Sequence, residues 1–264
     1  MKIKVRVWGG ISFLNALISG VGSAMAVKLP LEVEIRKSAE WDCDDIAREI
    51  FKASGLDGRY SVLTFSKIPV GMGLKSSSAY TAALALGAQA IKGNVEPEIA
   101  VNVSAKVSKQ MGISYTGAYD DAYAAVYGGI VISDNIKGSL LKRKEAPQNW
   151  LVTIGLKEGM KKTVNWKALR SFAELGKAVV EHLEKGDYYF ASTLNSLIVA
   201  SVNGYPSDPI VSAARAGFIA GISGNGPAYF AISEGLNYKF NGMKNIFTEP
   251  ANEKYRIEVL SEGS

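Results

Sequence analysis

Residues Lys2 to Trp8 alternate polar and apolar side chains with a period of two, and Leu31 to Arg36 repeat the pattern. Both predict strands with one face buried. The stretch between them, GGISFLNALISGVGSAMAV, is rich in glycine and small residues and too interrupted to predict a helix. Helical spacing returns from Asp44 to Ala53 and stops at Gly55. Arg59 to Phe65 predicts another strand, which must end by Pro69 because proline has no donor for a ladder. The strongest helix signal is SSSAYTAALALGAQAI, residues 76 to 91, with serines at its start, six alanines inside and Gly93 beyond its end. Glu96 to Met111 predicts a second helix that opens with Pro97. A glycine turn and short helix follow in GISYTGAYDDAYAAVYGG, leading into the strand GIVIS.

Residues 135 to 149, NIKGSLLKRKEAPQN, are polar, and we place a domain boundary there, dividing the chain into 1–147 and 148–264. Beyond it the pattern predicts a strand from Trp150 to Leu156 and helices over Asn165–Glu184 and Tyr188–Val202, parted at Gly186. A shorter helix, Asp208–Ala216, is followed by strands Phe218–Ser223 and Ala228–Ser233 joined by GNGP, and by a last strand, Arg256–Leu260. Helices mixed among strands, with no internal repeat, predict an α+β fold rather than a doubly wound parallel sheet.

Composition narrows the chemistry. The 264 residues are 47 % apolar and 21 % charged, enough to bury a core and too hydrophobic for a disordered chain. One cysteine, Cys43, excludes an intrachain disulfide framework and points to a reducing compartment. One histidine, His182, makes a zinc cluster or a histidine-based triad improbable. Catalysis must then draw on carboxylates, hydroxyls, lysines and backbone. The net charge of +5 is spread along the chain, and its densest basic run, Lys142 to Lys144, reads as a solvated loop rather than a nucleic-acid patch. The charged amino terminus MKIKVRVW does not fit a signal peptide, and no apolar run reaches membrane-spanning length. A cytoplasmic protein without nucleic-acid or membrane partners is expected.

Three segments carry candidate chemistry. In IPVGMGLKSSSAY, residues 68 to 80, glycines allow close backbone approach and three serines open a helix whose first amides favour an anion. The competing reading is a serine-capped helix after a glycine turn. Neither familiar phosphate template fits: Lys75 follows Leu74 rather than a glycine, and the third glycine of a dinucleotide fingerprint is replaced by Ser76. In YTGAYDDAYAAVYGG, Asp120 and Asp121 stand where a helix begins. Either they cap it, or one of them orients and deprotonates a hydroxyl. In GISGNGPAYFAIS, the glycines around Asn225 make a plain hairpin or turn amides towards a phosphate.

In this order the three segments resemble the motifs of the GHMP small-molecule kinases, over nearly the whole chain. GLKSSSA with TGAYDDAYA, and the early NALISGVGSAMAV, are most similar to the archaeal shikimate kinases of that superfamily. The resemblance implies an amino-terminal domain like ribosomal protein S5 domain 2, a ferredoxin-like carboxy-terminal domain, ATP and Mg²⁺ as cofactors, and shikimate as acceptor. It places ATP on Pro69, Gly71, Gly73, Leu74, Lys75, Ser76, Ser77 and Ser78, with Gly224 and Gly226 as the third motif and Ser77 as the metal-contacting hydroxyl. Asp121, seven residues before Gly128, matches the catalytic aspartate, with Asp120 as neighbour or substitute and Lys75 as an added charge near the transferred phosphate. Ser12, Asn15 and Ser23 are the candidate substrate contacts. Gln110 stands where related kinases often carry a metal-binding glutamate, which shifts metal contact towards Ser77, the aspartates and phosphate oxygens.

Rival acceptors within the superfamily are homoserine, pantoate or a mevalonate-type alcohol, and a rival class is a catalytically silent nucleotide-binding homologue. Tyr115, Tyr119, Tyr123 and Tyr127 recur every four residues and read as a packed face; His182 reads as a surface helix residue.

Overall fold

Two antiparallel sheets, described for residues 2–157 and 162–260 in a computed structural model, organise the chain. The first is built on β1 (Lys2–Leu14) and β2 (Val21–Ser38), which run antiparallel along most of their lengths. On its far side β2 is shared: Val21–Met25 pairs with β4 (Ile130–Asp134), and Leu31–Ser38 pairs with β3 (Arg59–Ser66). β5 (Ser139–Lys144) extends the sheet beyond β4, and β10 (Arg256–Leu260) returns from the chain's end to pair with β1. The second sheet has the order β7 (Ile219–Ile222), β8 (Tyr229–Glu234), β6 (Trp150–Leu156) and β9 (Lys244–Thr248). The expected division after residue 147 falls between β5 and β6. The carboxy-terminal half is nonetheless not confined to the second sheet, because β10 closes an edge of the first.

The stretch 9–27 departs from its sequence reading. It is the end of β1, a four-residue helix α1 (Ala16–Ser19) and the start of β2. Here Ile11, Phe13, Ala24 and Ala26 are buried along with Ser12, Leu14, Ser23 and Met25 between them. A strand covered on both faces has no alternation to read. The basic run Lys142–Lys144 is likewise a strand, not a loop, with Arg143 donating to the carbonyls of Tyr127 and Asn252.

Helices cover the sheets. α2 (Asp45–Ala53) starts where the Asp44 carboxylate accepts the Ala47 amide at 2.8 Å. α3 (Ser76–Ile91) lies against β1 and β2, flanked by α4 (Pro97–Gln110) and α5 (Tyr119–Tyr127). Its alanines allow this central position. At Gly87 a methyl would lie 2.4 Å from Ile35 Cδ1, so an alanine there would displace the end of that side chain. The helix expected over Asn165–Glu184 is two, α6 (Trp166–Arg170) and α7 (Ala173–Lys185), and α8 (Tyr188–Asn203) and α9 (Asp208–Arg215) pack near β7. Tyr119, Tyr123 and Tyr127 form a stacked row along α5, as a packed face requires, whereas Tyr115 precedes the helix. His182 stays on the surface of α7, bonded to Asp187 at 2.8 Å. No helix among the described residues is long and apolar enough to cross a membrane.

Candidate active site

Two helices begin without a side-chain cap and open on the same cavity. α3 follows Lys75, whose backbone is left-handed (φ 72°), and α5 follows Ala118, also left-handed (φ 52°). Left-handed backbone at a residue with a Cβ is strained and persists only where surrounding structure enforces it. The first full-turn bond of α3 runs from the Ala79 amide to the Lys75 carbonyl at 2.9 Å. The amides of Ser76, Ser77 and Ser78 therefore precede the helical ladder, at the positive end of the helix dipole. The serines do not cap the helix, and the competing reading of this segment falls away.

The loop before α3 is clamped by the turn of the third motif. The Ser223 hydroxyl donates to the Gly73 carbonyl at 2.8 Å, and the Ala228 amide donates to the Met72 carbonyl at 3.1 Å. At Gly73 (φ 79°) a methyl would lie 2.3 Å from the Ser223 carbonyl oxygen, so only glycine permits this crossing.

Lys75 then points inward. Its ammonium pairs with Asp121 Oδ1 at 2.8 Å and donates to the Ser12 hydroxyl, with side-chain exposures of 5 % for Lys75 and 18 % for Asp121. Ser12 also accepts the Gly224 amide at 3.1 Å. Removing either partner of such a pair strands a largely buried charge, which costs about 3–5 kcal/mol. Asp120 is more deeply buried beside it. Asn135 Nδ2 donates to Asp120 Oδ1 at 2.8 Å, and the Ser133 hydroxyl donates to Asn135 Oδ1 at 2.6 Å, fixing the amide's orientation. Gly22 makes room for this carboxyl: a methyl there would lie 2.5 Å from Asp120 Cγ. Burial, and next the neighbouring charge of Asp121, push Asp120 up to about 7, against the opposing pull of Lys75 and Asn135.

The cavity, of about 310 Å³, brings together Gly71, Gly73, Lys75 and Ser76–Ser78 with Asp120, Asp121, Gly224 and Gly226. Ser12 and Asn15 also line it, and both are hydrogen-bonded within the protein. Ser12 holds Lys75, while Asn15 caps α1 through the Leu17 amide and donates to the Gly224 carbonyl and Asn225 Oδ1. They brace the site from β1, and Ser12, which accepts from both Lys75 and Gly224, keeps its own hydroxyl proton to donate. Pro69, Leu74 and Ser23 do not line it. Leu74 is a core side chain, and the Ser23 hydroxyl is buried and donates to the Val131 carbonyl at 2.8 Å. Gln110, exposed at the end of α4, also stays outside the lining. Gly22, Ser133 and Asn135 escaped the sequence reading. Only the position of Asn135 just past the strand GIVIS hinted at a role.

A left-handed turn into an uncapped helix, a lysine–aspartate pair and a second helix start meet in one cavity, an arrangement suited to holding an anion beside a carboxylate. A profile of the GHMP kinases N terminal domain matches residues 43–129. The shikimate kinase of Archaeoglobus fulgidus is 34 % identical over 237 residues, covering 87 % of this chain and 84 % of that protein. The shikimate kinase of Thermoplasma acidophilum is 31 % identical, covering 92 % of this chain and 91 % of that protein. Among solved structures, the mevalonate kinase of Methanococcus jannaschii shares the fold with a TM-score of 0.68 at 16 % identity, over 94 % of this chain and 98 % of that one. The chain belongs to the GHMP kinases, in the family of the archaeal shikimate kinases.

Proposed function

We propose that this chain transfers the γ-phosphoryl group of ATP to a hydroxyl of shikimate, giving shikimate 3-phosphate, ADP and a proton. The observation that carries the reading is the Lys75–Asp121 pair set against the open start of α3 within one cavity. The archaeal relatives supply the acceptor's identity.

The triphosphate lies along the loop from Gly71 to Ser78, where the Ser76–Ser78 amides and the helix dipole meet its charge. The turn at Gly224 and Gly226 closes the cradle from the second sheet. Lys75 is placed to neutralise charge on the transferred group. Asp121 accepts a hydrogen bond from the acceptor hydroxyl and takes its proton late, as suits a loose transition state in which positioning and charge neutralisation supply most of the acceleration. Asp120 backs Asp121 and limits how much negative charge the pair carries near neutral pH.

No cluster of three or more metal-ligating side chains occurs among the described residues. The donors present, the Ser77 hydroxyl and the aspartates, are hard oxygens that suit Mg²⁺ entering as part of the nucleotide substrate, with phosphate oxygens and water filling most of its shell. Bound that way, the ion supplies charge neutralisation at the phosphates, and Ser77 is the residue that would touch it.

The test is acceptor-dependent ADP release over a panel of shikimate, homoserine, pantoate and mevalonate. Turnover with shikimate well above the others is the expected result. Preference for another alcohol reassigns the substrate within the family, and ATP binding without acceptor-dependent ADP release marks a silent homologue.

A further inference from the structure

Beside the phosphate cavity lies a second hollow of about 450 Å³. The two share Ala16, Leu17, Tyr115 and Thr116, so they adjoin. The hollow has a polarity of its own. At its inner end stands Asn135, already bonded to Asp120 and 3.4 Å from the Thr116 hydroxyl. Its charged lining residues are both cations, Lys109 from the last turn of α4 and Arg170 from the last turn of α6, and no acidic side chain lines it among the described residues.

Neither cation takes part in an ion pair among the described residues. Lys109 Nζ rests 5.7 Å from the centre of the Tyr119 ring. Arg170 lies across the Gly20 turn, where a methyl on Gly20 would be 3.5 Å from its Nη1. Tyr115 and Trp166, 66 % and 44 % exposed, form a lip with ring centres 6.3 Å apart. Two cations with no counter-ion among the described residues, in a hollow that adjoins the cavity of Asp120 and Asp121, leave room for one anionic group on a ligand whose hydroxyls reach across to the aspartates.

We propose that Arg170 and Lys109 read the carboxylate of the acceptor and make this kinase selective for hydroxy acids over neutral alcohols. The assignment rests on the proposed function and names the end of the pocket that holds the acid. A guanidinium matches a carboxylate in a two-pronged fork, while the lysine adds a point charge on a flexible stem. With the carboxylate fixed at the lip, the ring hydroxyls of the acceptor extend towards the aspartates.

The experiment compares wild type, Arg170→Met and Lys109→Met with shikimate and with its methyl ester, which keeps the hydroxyls and loses the charge. Losing one charge-assisted contact raises KM for shikimate by about 10- to 100-fold in each variant. kcat at saturation and KM for ATP stay within about threefold, and the wild-type preference for acid over ester shrinks towards unity in Arg170→Met. Arg170→Lys, which keeps charge without the fork, falls between. Unchanged KM for shikimate with an unchanged acid-to-ester ratio in both variants overturns the assignment and leaves the kinase reading standing. A wild-type enzyme that ignores shikimate overturns the choice of shikimate as acceptor and, with it, the assignment that rests on that choice. Both side chains are exposed, so folding is checked by the thermal midpoint. If Arg170→Met fails to fold, Arg170→Gln carries the same expectation, and a wild type that takes ester as readily as acid overturns the assignment without any variant.

Discussion

Replacing Asp120 by Asn tests the electrostatics of the site through stability. The buried Asp120 carboxyl titrates at about 7, against an ordinary value of 3.8. Between those pH values the native state holds a proton that the unfolded chain has already released, so stability falls as pH rises and the loss is complete above about 7. The interval of about three pH units, at about 1.36 kcal/mol each, sets a ceiling of about 4 kcal/mol. From about pH 5 to pH 8 the native proton is lost only near the end, so roughly two of those units are crossed and about 3 kcal/mol is at stake. Asparagine keeps the shape of the protonated acid and can still accept from Asn135 Nδ2. Asp120→Asn is therefore expected to match wild type within about 1 kcal/mol near pH 5. At pH 8 it should be more stable by up to about 3 kcal/mol, or about 6–12 °C in thermal midpoint. Urea or thermal unfolding of both proteins across that range provides the measurement. A variant destabilised equally at both pH values would refute the reasoning, since Asp120 would then carry its charge without penalty.

Three further substitutions probe the chemistry. Asp121→Asn should lower kcat by about 10²- to 10⁴-fold while the ATP dissociation constant moves less than about threefold, as single-turnover kinetics and calorimetry would report. Lys75→Met removes the partner of Asp121 and the charge nearest the transferred phosphate. Its expected signature is a stability loss of about 3–5 kcal/mol in chemical unfolding, together with a large fall in kcat. Gly73→Ala collides with the Ser223 carbonyl and adds left-handed strain. A rise in KM for ATP with little change in KM for shikimate would locate that damage at the phosphate loop.

Much of the framework was legible because it depends on local pattern. The helix expected over residues 76 to 91 runs from Ser76 to Ile91, and the strand read at Trp150–Leu156 has those bounds. Legibility failed where burial on both faces erased the alternation, as at Leu14 and Val21–Ala26, and where an edge strand is polar on both faces, as in β5. β9 went unread among polar neighbours. In the site, Asp121, Lys75 and the serine cluster carried their signal in sequence spacing. Gly22 and Arg170 carried none, and Asn135 only its position just past a strand, because their roles come from contacts made across the sheet or between the two halves of the chain. Ser12 and Asn15, read from their segment, do line the cavity, and contacts across the fold add a second role in bracing Lys75 and the Gly224 turn.

The most direct measurement is a structure of the protein with a non-hydrolysable ATP analogue, Mg²⁺ and shikimate bound together. The account predicts β- and γ-phosphates on the amides of Ser76–Ser78, and a shikimate hydroxyl within about 2.6–3.2 Å of Asp121, facing the γ-phosphorus. Phosphates seated away from the start of α3, or an acceptor hydroxyl turned from Asp121, would contradict it.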